Sequence, residues 1–555
     1  MPVSLPSVRY IEVGVRLSGA KRTRRPIQSV SVRFRLIAAA LLLSCIAAKS
    51  QPPGAACLPC HAKQVTGYAK TAMAHSISRA SALAVGSYVH ESSGTKFAIE
   101  NSETGPRIAI QNGNLSATWK VAYVIGSGSH AYGLLVGVRD YLFQAPVSYY
   151  AHPARWGAAP GFESAPALDF GRPVTPECLY CHADIPRPID GTLNRYQNPP
   201  LSGDAISCDR CHGDAAAHLR HPARDNIVNP AALSERARDS VCEQCHLSGE
   251  ARVLNPGREW GDFKPGKGLE QIYSVYVRAD ADRAPLKVIS HAEQLAMSRC
   301  ARESGGNLWC GTCHNAHEQP TEPATYYRAR CLTCHAQSLP AAHPKLENDS
   351  NCIGCHMPSR QTSDGAHTVF TDHRIARVPA RPMESSAVTK LRAWREPSSE
   401  LRLRNLGLAN IEAGVRRQSD ALIGEGANQI QEALKMNPRD LEMLTQLGVV
   451  LIRARETADA IKLLEAAITL SPEDALAHVN LGDAYREARM YPKAIVELNR
   501  AIELDPSLQD AYRSLELTHL LVGNREAARQ TLERYLTFIP QSITARMALA
   551  EAVKK

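Results

Sequence analysis

The sequence predicts a mixed architecture: a largely irregular and α-helical domain packed on cofactors rather than on its own side chains, a small β-rich insertion within it, and an all-α solenoid after it. Three observations lead there. A five-residue pattern, C-x-x-C-H, occurs seven times between Cys57 and His356. Between its first and second occurrences apolar and polar residues alternate with period two. Beyond residue 400, prolines and small residues recur every 34 positions.

The seven occurrences read CLPCH, CLYCH, CDRCH, CEQCH, CGTCH, CLTCH and CIGCH. Two thiols three residues apart can form thioethers to both vinyl groups of one porphyrin, and the adjoining histidine then reaches the iron as proximal ligand. The pattern calls for seven covalent c-type haems. They attach at Cys57 and Cys60, Cys178 and Cys181, Cys208 and Cys211, Cys242 and Cys245, Cys310 and Cys313, Cys331 and Cys334, and Cys352 and Cys355. The proximal ligands are His61, His182, His212, His246, His314, His335 and His356. A zinc ribbon or disulfides would also use paired C-x-x-C sites. Histidine is 20 of 555 residues, so one after every pair arises by chance with a probability on the order of 10⁻¹⁰, and neither alternative needs it there. The motifs leave only Cys45 and Cys300 of the 16 cysteines.

A chain of 555 residues is too long for one core and divides into domains. Its formal charge of +9 sits almost wholly in residues 1–50, where nine Lys and Arg against one Glu give +8, leaving +1 for the rest (9 − 8). Two propionates per haem, about 14 carboxylates in all, would turn the holoprotein acidic, which removes the support for nucleic-acid binding. Residues 1–50 read as a secretion signal: basic up to Arg33 and Arg35, then uncharged and rich in Leu and Ala from Leu36 to Ala48, too short for a convincing membrane span. Ala48-Lys49-Ser50 suits signal peptidase. Leu42-Leu43-Ser44-Cys45 is a looser match to a lipoprotein box that would lipidate Cys45 and tether the protein to a membrane; simple cleavage is favoured because Leu43 fits that box poorly. Arg24-Arg25 is followed by Pro26, which weakens a twin-arginine reading. Since c-type haems are attached to exported chains, a periplasmic or otherwise extracytoplasmic bacterial protein is expected.

The cytochrome portion is expected over residues 51–378. After the first motif a short helix runs to about Ser78, carrying Met73 and His75. The β-rich insertion, residues 87–150, shows runs such as Arg107-Ile108-Ala109-Ile110 and Trp119-Lys120-Val121-Ala122 with Ser93-Gly94 and Asn112-Gly113 at the turns, the pattern of β-hairpins. Six motifs then fall between Cys178 and His356 among Pro, Gly and Asn-rich segments with little periodicity. So few residues per porphyrin cannot supply an aliphatic core, so the haems pack on one another and the apo chain is not expected to fold.

Residues 379–400 read as a linker, with Pro379, Pro382 and Pro397 among Ser and charged residues. Residues 401–555 follow with Pro438, Pro472, Pro506 and Pro540, with Ala460, Ala494 and Ala528, and with Gly448 and Gly482, all in one 34-residue register. This is the signature of tetratricopeptide repeats, in which small residues sit where paired helices cross. Gly414 and Ala433 keep the register, making 401–436 a degenerate first repeat of about four.

With CDRCHGDAAAHL, DSVCEQCHLSG, NLWCGTCHNAH and CIGCHMPSR followed by TDHRIAR in view, residues 50–378 resemble the multihaem cytochrome c family that includes cytochrome c554 and doubled-CXXCH proteins, here fused to the repeats. The resemblance implies low-spin haems with two histidine ligands, stacked in pairs. His218 and His317 lead as distal ligands because each closely follows a motif and looks like a family counterpart. His75, His130, His291, His367 and His373 come next, each with a surface or hydrogen-bonded histidine as the alternative. His90, His152, His221 and His343 are set aside as ordinary histidines, although His343 is able to replace any of the second group. Met73 and Met297 are thioether candidates more readily explained by packing; Met357 adjoins His356 and cannot reach the opposite face. Cys300 reads as a buried small residue.

The function expected is electron transfer between redox partner proteins, with the repeat groove binding a peptide or neighbouring subunit and no residue acting as acid, base or nucleophile. A multihaem reductase or dehydrogenase acting on a small nitrogen or sulfur compound is the alternative; it needs one open haem, and all seven motifs end in His. A repeat-based assembly factor with structural haems is the third class.

Overall fold

The computed structural model describes residues 54–165, 168–201, 203, 205–280, 284–335, 343, 350–365, 367–376 and 390–554. The leader, Cys45 and the first half of the linker region, 379–389, lie outside the described residues. Among those described, no helix is long and apolar enough to cross a membrane.

The β-rich unit corrects the expectation of an irregular, haem-packed N-terminal domain with a small insertion. It is a nine-stranded near-barrel: β1 (Ile77–Arg79), β2 (Gly86–His90), β3 (Thr95–Ser102), β4 (Gly105–Asn112), β5 (Leu115–Ile125), β6 (Ala131–Val138), β7 (Tyr141–Tyr150), β8 (Arg155–Ala158) and β9 (Arg172–Pro173). Strands β2 to β8 pair antiparallel in sequence order, β1 adds to β5 and β9 to β7. The turns fall at Gly94 (φ +66°) and Gly113 (φ +55°), in the left-handed region where glycine costs least. Trp156 of β8 packs over Gly86 of β2 and donates its indole N–H to Ala84 O (3.1 Å), so the ends of the strand path meet. Every second side chain of β3 and β4, among them Phe97, Ile99, Ile108 and Ile110, is buried, as period two dictates. The unit outgrows 87–150 because β1, β8 and β9 are two to four residues long, too short for alternation to register; pairing with long neighbours makes them strands.

Residues 176–356 carry six motifs on short helices and loops. The helices Asp209–His212, Cys310–Cys313, Pro323–His335 and Cys352–His356 bury no residue. The second motif is different. Its helix, Pro176–Tyr180, buries Leu179 in a cluster with Ile77, Tyr123, Leu135 and Leu142 of the near-barrel.

The C-terminal part is all-helical. Helices Ser399–Arg417 and Asp420–Met436 pair as the degenerate first repeat, with Gly414 against Ile423. Three further pairs follow, Leu441–Arg453 with Thr457–Leu470, Ala475–Glu487 with Tyr491–Leu504, and Gln509–Leu521 with Arg525–Phe538, and Ile543–Lys554 ends the array. A Cβ on Gly448 or Gly482 would stand 2.7 Å from Leu464 or 2.6 Å from Leu498, which explains the small-residue register. Asp440 and Asp474 cap helices by accepting the backbone N–H of Met443 and Ala477.

The solenoid is joined to the rest along its length. Arg404 pairs with Asp440 (2.7 Å) and donates to Leu254 O (2.9 Å), while Asn405 donates to Asn255 (2.9 Å) and Ser274 (3.0 Å). Glu250 accepts from both Lys287 (2.9 Å) and Arg417 (2.8 Å). At the far end Phe538, Tyr535, Tyr512 and Ile543 share one apolar cluster with Phe97, Trp119 and Phe143. The end of the presumed linker is built in as well: Leu391–Ala393 forms a third strand beside Tyr273–Arg278.

Candidate functional site

One cavity of about 3010 Å³ runs through the motif-bearing region. All seven motif histidines and every motif cysteine except Cys334 line it. It is several times a small-molecule pocket of about 300–1,000 Å³. None of the described cysteines is in a disulfide, and among the described residues no three or more His, Cys, Asp or Glu converge as a metal-ion cage.

The histidines meet in opposed pairs instead. Ring centres lie 6.3 Å apart for His61 and His218, 5.8 Å for His212 and His317, 6.2 Å for His314 and His373, and 6.0 Å for His343 and His356, each pair within 26° of parallel. His246 and His291 stand 5.2 Å apart, edge to face. Two imidazoles ligating one metal from opposite faces, at about 2 Å per bond, have ring centres roughly 6 Å apart, so the residues present fit a bis-histidine iron. Nδ1 of His291 is buried with no hydrogen-bond partner.

The structure thus brings His218, His291, His317 and His373 against motif histidines. It also brings His343, which sequence reasoning set aside; it is the one histidine between the sixth and seventh motifs, and that was the available signal. His130 lines the cavity but stacks on Phe370 at 4.3 Å. His75 lies outside the lining with Nε2 2.9 Å from Ala69 O. His367 is held by Arg155 (3.3 Å) and Tyr150 (ring centres 5.1 Å). Met73 and Cys300 line the cavity, whereas Met297 lines a separate small pocket.

Hydrogen bonds set which nitrogen each ring presents. Nδ1 donates to Val228 O from His212 (2.7 Å), to Ala376 O from His356 (2.9 Å), to Thr371 O from His373 (2.9 Å) and to Ala223 O from His218 (3.0 Å). That arrangement fixes the tautomer and leaves Nε2 for a metal. Burial, with His246, His373, His314 and His130 as neighbours, pushes His291 down to about 3, and burial beside His373 pushes His314 down to about 4. Burial moves His182, His246, His317 and His373 the same way. These rings are held neutral, the ligating form.

A cavity ringed by thiols and opposed imidazoles thus lies beside a helical repeat solenoid. Residues 163–213 match the family model described as cytochrome c554 and c-prime, and residues 422–475 and 445–508 match the tetratricopeptide repeat. The chain is similar to Superkiller protein 3 of Schizosaccharomyces pombe, 33% identical over 109 residues, covering 19% of this chain and 8% of that protein. It is also similar to human serine/threonine-protein phosphatase 5, 28% identical over 130 residues, covering 23% of this chain and 24% of that protein. The matches therefore span a quarter or less of those relatives. Among solved structures, MamA is 26% identical with a TM-score of 0.24, covering 25% of this chain and 82% of that one. The Cut9–Hcn1 hetero-tetramer of APC/C is 24% identical with a TM-score of 0.25, covering 28% and 30%.

Proposed function

We propose that the chain is an extracytoplasmic heptahaem c-type cytochrome that transfers electrons between redox partner proteins, with its repeat domain docking a partner. The observation that carries this reading is the cavity lined by all seven motif histidines and every motif cysteine except Cys334, four of the histidines meeting a second imidazole at the separation a shared iron requires. When bound, the haems supply one-electron chemistry. The chain attaches them by its cysteines, orients the imidazoles through backbone carbonyls, and lines their cavity with largely apolar side chains. No residue has to act as acid, base or nucleophile.

The repeat helices leave Val449, Leu476, Leu517, Leu520 and Leu521 exposed, apolar side chains suited to holding a peptide or a neighbouring subunit. Export follows from the leader and from attachment of c-type haem outside the cytoplasm. An oxidoreductase acting on a small nitrogen or sulfur compound at one open haem is the second reading, and one observation favours it: among the described residues no second imidazole faces His182 or His335, unlike the other five motif histidines.

The test is expression with haem-attachment machinery, followed by intact-mass and optical measurements. Seven covalent haems that reduce and reoxidise reversibly are expected; a chain exported without covalent haem overturns the reading.

A further inference from the structure

We infer that Glu243, Glu250 and Gln294 are positioning residues through which the first repeat helix holds the histidines of the fourth and fifth motif sites, so that the repeat domain is part of their ligand frame and not only a docking module. This rests on the haem reading above and deepens it.

The two helices concerned each turn one face to the cavity and another away from it. In the helix His291–Met297, His291, Ala292 and Leu295 line the cavity, the spacing of a single helical face. Glu293 and Gln294 are buried on the other side. In the helix Glu235–His246, Cys242, Cys245 and His246 line the cavity, and Glu243 is buried outside its lining. The side chains that fix each helix are therefore the ones turned away from its histidine.

A relay of hydrogen bonds joins them to the repeats. Arg417 donates to the Glu250 carboxylate (2.8 Å) and Arg416 to the Glu250 carbonyl (2.7 Å). Lys287 bridges the other Glu250 oxygen (2.9 Å) and Gly249 O (2.6 Å), and the Gly249 N–H is accepted by the Glu293 carboxylate. The Ser290 hydroxyl donates to Lys287 O (2.9 Å) and accepts from the Gln294 amide (2.6 Å). The Gln294 side-chain oxygen then accepts the backbone N–H of His373 (2.8 Å). His373 faces His314 of the fifth motif with ring centres 6.2 Å apart, and His291, on the same helix as Gln294, stands 5.2 Å from His246 of the fourth.

A second route reaches the fourth motif from its own helix. Trp394 and Arg395, directly after the strand Leu391–Ala393, donate to the Glu243 carboxylate at 3.0 and 2.9 Å. Leu391 and Tyr276 of that sheet lie in one apolar cluster with Leu408, Ile411 and Leu434 of the first repeat. The two routes use different residues and converge on neighbouring helices. Glu243, Glu250, Lys287, Ser290, Glu293 and Gln294 are all buried, where low dielectric strengthens each hydrogen bond. Groups that orient ligating histidines tune a metal centre without touching it.

The test uses the holoprotein, with covalent haem counted by mass, potentials by spectroelectrochemical titration, ligand orientation by electron paramagnetic resonance of the ferric state, and stability by denaturant unfolding. Arg417→Met and Arg395→Met each remove one attachment. Both should keep every haem, shift one or two reduction steps by roughly three- to tenfold in equilibrium constant, about 30–60 mV at 59 mV per decade, and alter the g values of the same haems. Gln294→Met, which keeps the size and removes the contact to His373, should do likewise. In C242A/C245A, which lacks the fourth haem, the shift caused by Arg395→Met should vanish; its persistence overturns the assignment to that site. Phe538→Ala, which loosens the repeats at the near-barrel end, should lower stability and leave potentials and g values as they are. Lost stability with unchanged potentials and g values in Arg417→Met, Arg395→Met and Gln294→Met overturns the positioning role and leaves the cytochrome reading standing, as do equal shifts in Phe538→Ala. Should an arginine variant fail to fold, Gln294→Met decides. Absence of covalent haem overturns the cytochrome reading itself.

Discussion

The imidazoles of His61 and His218 lie 6.3 Å apart and 25° from parallel, although the whole near-barrel intervenes between them in sequence. One belongs to the first motif and the other to the segment after the third, so under the haem reading proposed above the two sites are cross-ligated, neither peptide completing its own iron position. His212 and His317 repeat the relation between the third and fifth.

Cross-ligation predicts that His218→Ala leaves the haem count unchanged while one low-spin haem becomes high-spin. His343→Ala should do the same at the seventh site, and His75→Ala should not. Electron paramagnetic resonance of the three ferric variants checks this.

Gly67 is the second tight point. A Cβ there would stand 2.3 Å from the carbonyl oxygen of His317, so the backbone must move. Gly67→Ala should cost about 1–3 kcal/mol by overpacking and should loosen His317 from the third site. Denaturant unfolding gives the first quantity and the low-spin haem count the second.

Glu250 bridges Lys287 on one side and Arg417 of the first repeat helix on the other. Burial raises its carboxyl, but Lys287 and then Arg417 outweigh burial and hold it below the ordinary value of 4.5. A lowered native pKa adds stability that is present above the unfolded value and lost as pH falls through the native one. Stability should therefore decline as pH drops below about 4.5. Glu250→Gln should flatten that decline and cost about 3–5 kcal/mol near pH 7 by stranding the buried Lys287. Thermal unfolding across pH in both proteins checks sign and size.

Phe538 closes the near-barrel from the solenoid side, edge-on to Tyr141 at 5.2 Å and beneath the Arg139 guanidinium at 5.2 Å. Phe538→Ala should cost about 3–5 kcal/mol, and strands and repeats should lose protection together. Hydrogen exchange that falls only in the repeats would refute the shared core.

Much of the near-barrel was legible because period-two burial marks β3 and β4 wherever one face meets a core. Its full extent was not, since β1, β8 and β9 are made strands by their partners. The histidines that face motif histidines were half legible. His218 and His317 follow motifs closely, but His291, His373 and His343 are carried to their partners by packing over long stretches of chain, and nothing local separates them from His75 or His367.

By itself the sequence determined what depends on neighbouring residues: two thiols and an imidazole spaced for one porphyrin, and a 34-residue register of glycine, alanine and proline for close helix crossings. Tertiary structure decided which imidazoles oppose each other and that the repeats share a core with the strands. Those relations join segments far apart in the chain. They are selected by packing free energy summed over the whole molecule, which leaves no mark in any short window of residues.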